Sequence, residues 1–183
     1  ASAVAEATYT INLPYIFASV SELFTYLDEN SLTTLNDVTV TGYVSEIVTE
    51  YSTQYENISF NISDDGSTTA AQLQSYRGKG TDASSIEVGD KVTISGNYKV
   101  HNSTKELDQG NTITNRIAKG AVTAVVVSGT PTKTTYFANE TFETAGLVVT
   151  ATYANGFSEV VTEGITWGND LTDHKVAATG TVQ

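Results

Sequence analysis

Cysteine and methionine are both missing from this chain of 183 residues, and proline occurs only twice. Without cysteine there can be no disulfide, thiolate metal site or cysteine nucleophile, and the best sequence marker of redox compartment is lost as well. The shortage of proline, in a chain prominent in Ala, Ser, Thr, Val and Tyr, favours ordered strands over disordered linker. Bases are scarce too, nine against 21 acids, giving a formal net charge of −12. The excess is spread along the chain, and no stretch forms a basic patch. Affinity for nucleic acid comes largely from Lys and Arg neutralising phosphates, so DNA and RNA are not expected partners. No apolar run approaches the roughly 18 residues of a membrane-spanning helix, so no transmembrane segment is expected.

The catalytic inventory is equally thin. His101 and His174 stand far apart and neither has a ligand spacing such as His-x-x-x-His, so no metal is expected and both histidines read as exposed loop residues. There is no Gly-x-Ser-x-Gly elbow, no phosphate-binding loop and no dinucleotide fingerprint. The doublet Asp64-Asp65 precedes Gly66 between two alternating segments and reads as a turn. A calcium ion there would need several more oxygen ligands than the local sequence offers. The expectation is a non-enzyme without a cofactor.

What the chain does contain is alternation. Tyr55-Glu-Asn-Ile-Ser-Phe-Asn-Ile-Ser puts Ile58, Phe60 and Ile62 on one face and Asn57, Ser59 and Asn61 on the other. Val88-Gly-Asp-Lys-Val-Thr-Ile-Ser-Gly-Asn-Tyr does the same with Val92, Ile94 and Tyr98 against Thr93, Ser95 and Asn97. A period of two with one apolar and one amide or hydroxyl face marks a half-buried antiparallel strand. Leu73 to Gly80 lies between them. Asp37 to Tyr51 is a long strand in which Val38, Val40, Gly42 and Val44 share a face until the alternation slips near Ser45 and Glu46, as at a bulge or bend. Ala71 to Tyr76 completes a hairpin after the Asp64 turn, Thr81 to Glu87 is an irregular or helical connection, and a fifth strand is expected within Asn111 to Ala118. Ahead of these, Tyr9, Ile11 and Leu13 alternate, Pro14 interrupts, and Ser19-Val-Ser-Glu22 opens a short helix whose Val20, Leu23, Phe24 and Leu27 form an apolar stripe.

These segments, with the strand ending Gly42-Tyr-Val44, resemble the OB-fold modules of secreted bacterial surface proteins. A long, bent first strand is what such a five-stranded barrel needs, because that strand serves both halves. From about residue 120, Val-Ser-Gly-x-Pro-x-Lys-x-x-Tyr (127–136), Gly-Leu-Val-Val-Thr-Ala-Thr-Tyr (146–153) and Ile165-Thr-Trp167 resemble a bacterial immunoglobulin-like domain. The expected fold class is therefore all-β, an OB-like five-stranded barrel with an N-terminal helix plus an immunoglobulin-like β-sandwich. Residues 1–36 would pack on the first domain, 37–119 form the barrel and 120–183 the sandwich.

The second resemblance stops short. The sandwich pattern runs out at Gln183 a hairpin early, so either residues follow in a longer chain or a strand comes from elsewhere. Tyr9, Ile11 and Leu13 are the candidate knobs of such a donated strand, which would make a subunit of a filament built from copies of the chain. The start at Ala1-Ser-Ala-Val reads most simply as signal-peptide removal, although a cut at a domain boundary would look the same.

One surface carries a functional expectation. On the outward side of the first three barrel strands lie Tyr43, Asn57, Ser59, Asn61, Gln74 and Tyr76, with Thr41 and Gln72 beside them and Arg77 and Lys79 following. Amides donate and accept at once, and tyrosine adds a flat apolar face with a polar tip, which suits hydroxyl-rich ligands. The plain alternative is that these residues only solvate the sheet or meet a neighbouring domain. The leading expectation is a non-enzymatic extracellular or cell-surface protein, structural or adhesive, whose partners are other copies of itself or other surface proteins. A glycan-binding module is the second, and an accessory domain of a larger secreted hydrolase the third.

Overall fold

Described here from a computed structural model, the structure covers residues 13–80, 82–137 and 142–165. Tyr9, Ile11, Asn139, Trp167, His174 and the segment 179–183 lie outside the described residues. The chain divides between Lys119 and Gly120 into two compact units, and the described residues are all-β apart from one α-helix and one short 3-10 turn at Ala83–Ser85.

The first unit is organised by β2 (Thr34–Ser52), nineteen residues long. Its first half pairs antiparallel with β5 (Lys91–His101) from Thr34↔Lys99 to Tyr43↔Lys91, and its second half pairs with β3 (Asn57–Ser63) from Tyr43↔Ser63 to Ser52↔Asn57. The change of partner coincides with a register shift between Val44 and Glu46, where the alternation slips in the sequence. One strand can serve two sheets only if it bends, and an extra residue on one side of the ladder supplies that bend. From β3 the ladder passes antiparallel to β4 (Leu73–Gly80), then by a short parallel pairing to β7 (Thr112–Ile117), which pairs antiparallel with β5. The circuit β2-β3-β4-β7-β5-β2 closes a five-stranded barrel. Val38, Val40, Val44, Phe60, Ile62, Leu73, Val92 and Ile94, the apolar halves of the alternating patterns, are fully buried inside it.

Two small strands were not expected. β1 (Tyr15–Phe17) runs parallel to β2 at Val38–Val40, where Pro14 ends the earlier pattern. β6 (Thr104–Leu107) folds back on β5 as a hairpin and lies parallel to β4 through Gln74↔Glu106 and Ser75↔Leu107. It is only four residues long, too short for a periodicity to register. The strand expected from Val88 begins instead at Lys91, because Glu87 to Asp90 is a turn in which Asp90 N donates to Glu87 O at 3.1 Å and Glu87 N to the Asp90 carboxylate at 3.0 Å.

The helix α1 (Val20–Glu29) inserts Val20, Leu23, Phe24 and Leu27 into the same core cluster as the barrel strands. Its N-cap is Ser19, whose Oγ accepts from Glu22 N at 3.1 Å, while the Glu22 carboxylate accepts from Ala18 N at 2.6 Å. The remaining first-turn donors meet Asp64, 44 residues away: one carboxylate oxygen accepts from Val20 N at 2.6 Å, and the other accepts from Ser21 N at 3.2 Å. Asp64 thus ties the β3–β4 connection to the helix while placing negative charge at the positive end of the helix dipole.

Asn111, at the mouth of β7, is 1% exposed and uses every polar atom of its side chain. The two hydrogens on its Nδ2 are shared among Tyr76 O (2.8 Å), Asp108 O (2.9 Å) and Leu107 O (3.2 Å), and its Oδ1 accepts from Ser75 Oγ (2.6 Å). Two glycines make room for it. A Cβ on Gly96 would stand 2.6 Å from Asn111 Cβ, and one on Gly78 would stand 2.7 Å from Asn111 Oδ1 and 2.4 Å from Ser75 Oγ.

Two stability predictions follow from these contacts and are checked by urea denaturation. Asn111→Ala strands buried carbonyls and the Ser75 hydroxyl, and should cost about 3 kcal/mol. A loss below about 1 kcal/mol would mean that water replaces the amide without penalty. Asp64→Ala should cost about 1 kcal/mol, as a lost helix cap does, and Asp64→Asn less because an oxygen acceptor remains.

Candidate ligand-binding face of the barrel

The outward residues of β3 and β4 do not form one continuous patch, because β4 carries a bulge. Between the pairs Ile58↔Gly78 and Phe60↔Ser75, Tyr76 and Arg77 together oppose the single residue Ser59. Arg77 takes up the extra residue in the left-handed region, φ 51°. A bulge bends its strand and re-aims side chains. Here Ser59 is covered, 4% exposed, and its Oγ accepts from Arg77 N at 3.0 Å. Ser59 therefore braces the bulge from the groove side.

Beside the bulge is a groove of about 1010 Å³ that gathers Asn57, Ser59, Tyr76 and Arg77. The β2–β3 turn contributes Tyr55 and Glu56, β4 contributes Lys79, and Gln109 comes from the connection between β6 and β7. Tyr55 is 61% exposed and offers its ring to solvent. The Arg77 guanidinium lies 5.1 Å over the Tyr76 ring and donates from Nη1 to Gln109 Oε1 at 3.2 Å. Aromatic faces, an amide and charged donors thus converge on one polar concavity. Tyr55 and Gln109 were not read as site residues from the sequence. Tyr55 opens the β3 alternation and passes for a strand residue, although it belongs to the turn, and Gln109 carries no local signal.

The other predicted residues stand elsewhere. Asn61 and Gln74 line a separate concavity of about 470 Å³ with Phe24, Gln72, Thr104 and Lys105. They belong to a row across the barrel wall, since Glu46 pairs with Asn61, Asn61 with Gln74, Gln74 with Glu106, and Glu106 with Lys99. Asn61 Nδ2 donates to the Glu46 carboxylate at 3.1 Å and Gln74 Nε2 to Asn61 Oδ1 at 3.3 Å. Their amides are engaged with each other, and Gln72 is spent on Ser45 and on the carbonyls of Ser67 and Ala70. Tyr43 lies at the far end of the β2–β5 ladder, with Lys91 Nζ 5.3 Å from its ring centre. Leu13 is 76% exposed.

The cations divide in the same way. Arg116 is bound by the buried Asp90 at 2.6 Å, and Lys99 by Asp108 at 2.8 Å and Glu106 at 3.5 Å. The hydrogen bond to Lys99 is the main cause that lowers the Asp108 pKa below its ordinary value, and the same bond raises that of Lys99. The Asp108 contribution to stability is present above its unfolded pKa and is lost as pH falls through the lowered one. Lys105 Nζ sits 3.9 Å over the Phe24 ring. Among the described residues no three His, Asp or Glu side chains group as metal ligands would, and no helix is long and apolar enough to cross a membrane.

In the second unit the described residues hold one antiparallel sheet, β10-β9-β8, from β8 (Val122–Gly129), β9 (Leu147–Tyr153) and β10 (Ser158–Val161). Val149 and Ala151 of β9 and Phe157 just before β10 are buried, whereas every residue of β8 is exposed. Ala154 to Phe157 makes the β9–β10 turn, with Phe157 N donating to Asn155 Oδ1 at 3.0 Å. Residues 129–182 match the family of bacterial Ig-like domains (group 3), which occur in surface-associated bacterial proteins. The match begins at the last residue of β8 and leaves the barrel outside it. No curated protein and no solved structure matches the chain.

Proposed function

We propose that this chain is a non-enzymatic module of the bacterial surface, in which the barrel binds saccharide in the groove beside the β4 bulge and the immunoglobulin-like unit serves as a display arm. The observation that carries the reading is the convergence on one groove of Tyr55, Tyr76, Asn57 and Arg77, from a turn, two strands and a bulge. Sugar rings present apolar C–H faces and rims of hydroxyls. Tyrosine rings match the first, and amides and guanidinium match the second. OB-fold barrels bind oligosaccharides and oligonucleotides on this part of their surface, and a chain of net charge −12 favours the former. The surface location is supported by the family match over residues 129–182.

A glycan array followed by titration with the best saccharide tests the proposal. Tyr76→Ala and Asn57→Ala should each weaken binding by about fivefold or more, since losing a stacking ring or a ligand hydrogen bond costs on the order of 1 kcal/mol. Tyr43→Ala and Gln74→Ala, outside the groove, should leave the affinity unchanged. Binding insensitive to Tyr76 and Asn57 but lost with Gln74 would move the site to the smaller concavity. An array without any saccharide bound would leave only a structural or adhesive role.

A further inference from the structure

Resting on that saccharide reading, we infer that the groove takes an acidic saccharide, one that bears carboxylates on its sugar rings. The chain has only nine bases, and among the described residues Lys99, Arg116 and Lys133 are committed to carboxylates of the protein itself. Arg77 and Lys79 are different. Both line the groove, and neither makes an ion pair among the described residues. The groove also holds Glu56, so its balance is one positive charge on a strongly negative protein. That local reversal of sign is what a ligand with isolated negative charges would recognise.

The geometry of Arg77 favours a carboxylate. The bulge directs the residue into the groove, Gln109 holds Nη1, and the guanidinium carbon lies 5.1 Å over the Tyr76 ring. A guanidinium held on one side keeps its remaining donors for a planar, two-oxygen acceptor, and ordering it beforehand lowers the entropy lost on binding. Lys79 adds a point charge one strand repeat further along β4. Two cations match one or two uronate carboxylates spaced along a sugar chain, with Tyr55 free to stack on a ring between them. They fall short for a nucleic-acid strand, which brings a phosphate at every nucleotide to a protein that repels it.

Calorimetric titration of the whole chain with oligogalacturonate, with the same oligomer as its neutral methyl ester, and with a single-stranded oligonucleotide of equal charge tests the inference. The acid form should bind at least tenfold more tightly than the ester, with an affinity that falls as salt rises from about 50 to 200 mM. Arg77→Gln and Lys79→Gln, at exposed positions, should each remove most of that preference while leaving the fold intact by circular dichroism. Equal binding of acid and ester would overturn the inference and leave the saccharide reading standing. Absence of binding to both forms and to every array saccharide would overturn the two together, and tighter binding of the oligonucleotide would assign the groove to nucleic acid.

Discussion

The barrel depends on the closing of one seam. Four of its five interstrand joints are antiparallel, but β4 reaches β7 through only Lys79↔Thr112 and Gly80↔Ile113, and these are parallel. Where β6 ends and β7 begins, the backbone carbonyls of Leu107, Asp108 and Tyr76 converge on the Asn111 side chain. The Asn111 amide serves all three. Unpaired polar groups in a core are costly, so a buried amide that saturates its surroundings is worth more than the hydrogen bonds counted singly. The lack of a side chain at Gly78 and Gly96 follows from the same contact, since any Cβ there would occupy the space that Asn111 fills.

The seam is also what places the groove. Asn111 holds the carbonyl of Tyr76, Ser59 holds the amide of Arg77, and the turn that contains Gln109 is closed by Asn111 N donating to Asp108 O at 3.1 Å. Tyr76, Arg77 and Gln109 are therefore presented from backbone that is bonded on the inner side and open on the outer. A surface built in this way loses little freedom when a ligand arrives. The opposite holds for the row from Glu46 to Lys99, where amides and charges face each other along the barrel wall and act as cross-strand links.

Much of the barrel was legible in the sequence because its signal is local. Period-two alternation marked β2, β3 and β5, the phase slip at Ser45 and Glu46 marked the bend, and Ser19 with Glu22 marked the helix start. Contacts between residues far apart in the chain were not legible. Asp64 looks like half of a turn doublet and caps a helix 44 residues upstream, and Asn111 looks like any polar residue before a strand. The candidate site suffered for the same reason. Alternation puts Asn57, Ser59 and Tyr76 on the outer face, but it cannot see a bulge that covers Ser59, a hydrogen bond that joins Gln74 to Asn61, or a turn that brings Tyr55 into one groove with Gln109. In the second unit, the Val-Ser-Gly-x-Pro and Gly-Leu-Val-Val-Thr motifs pointed to the immunoglobulin-like family that residues 129–182 match. Tyr9 and Ile11, candidates for a donated strand, lie outside the described residues.

If the barrel binds saccharide as proposed, the groove beside the β4 bulge is where this protein meets its ligand. Amide and side-chain chemical shifts of the whole chain, followed by NMR during titration with an acidic oligosaccharide, test it most directly. Saturating shifts are expected at Tyr55, Asn57, Tyr76, Arg77 and Gln109, with Asn61, Gln74, Tyr43 and Thr93 unmoved. Shifts centred on Gln74 and Lys105, or confined to the second unit, would contradict it.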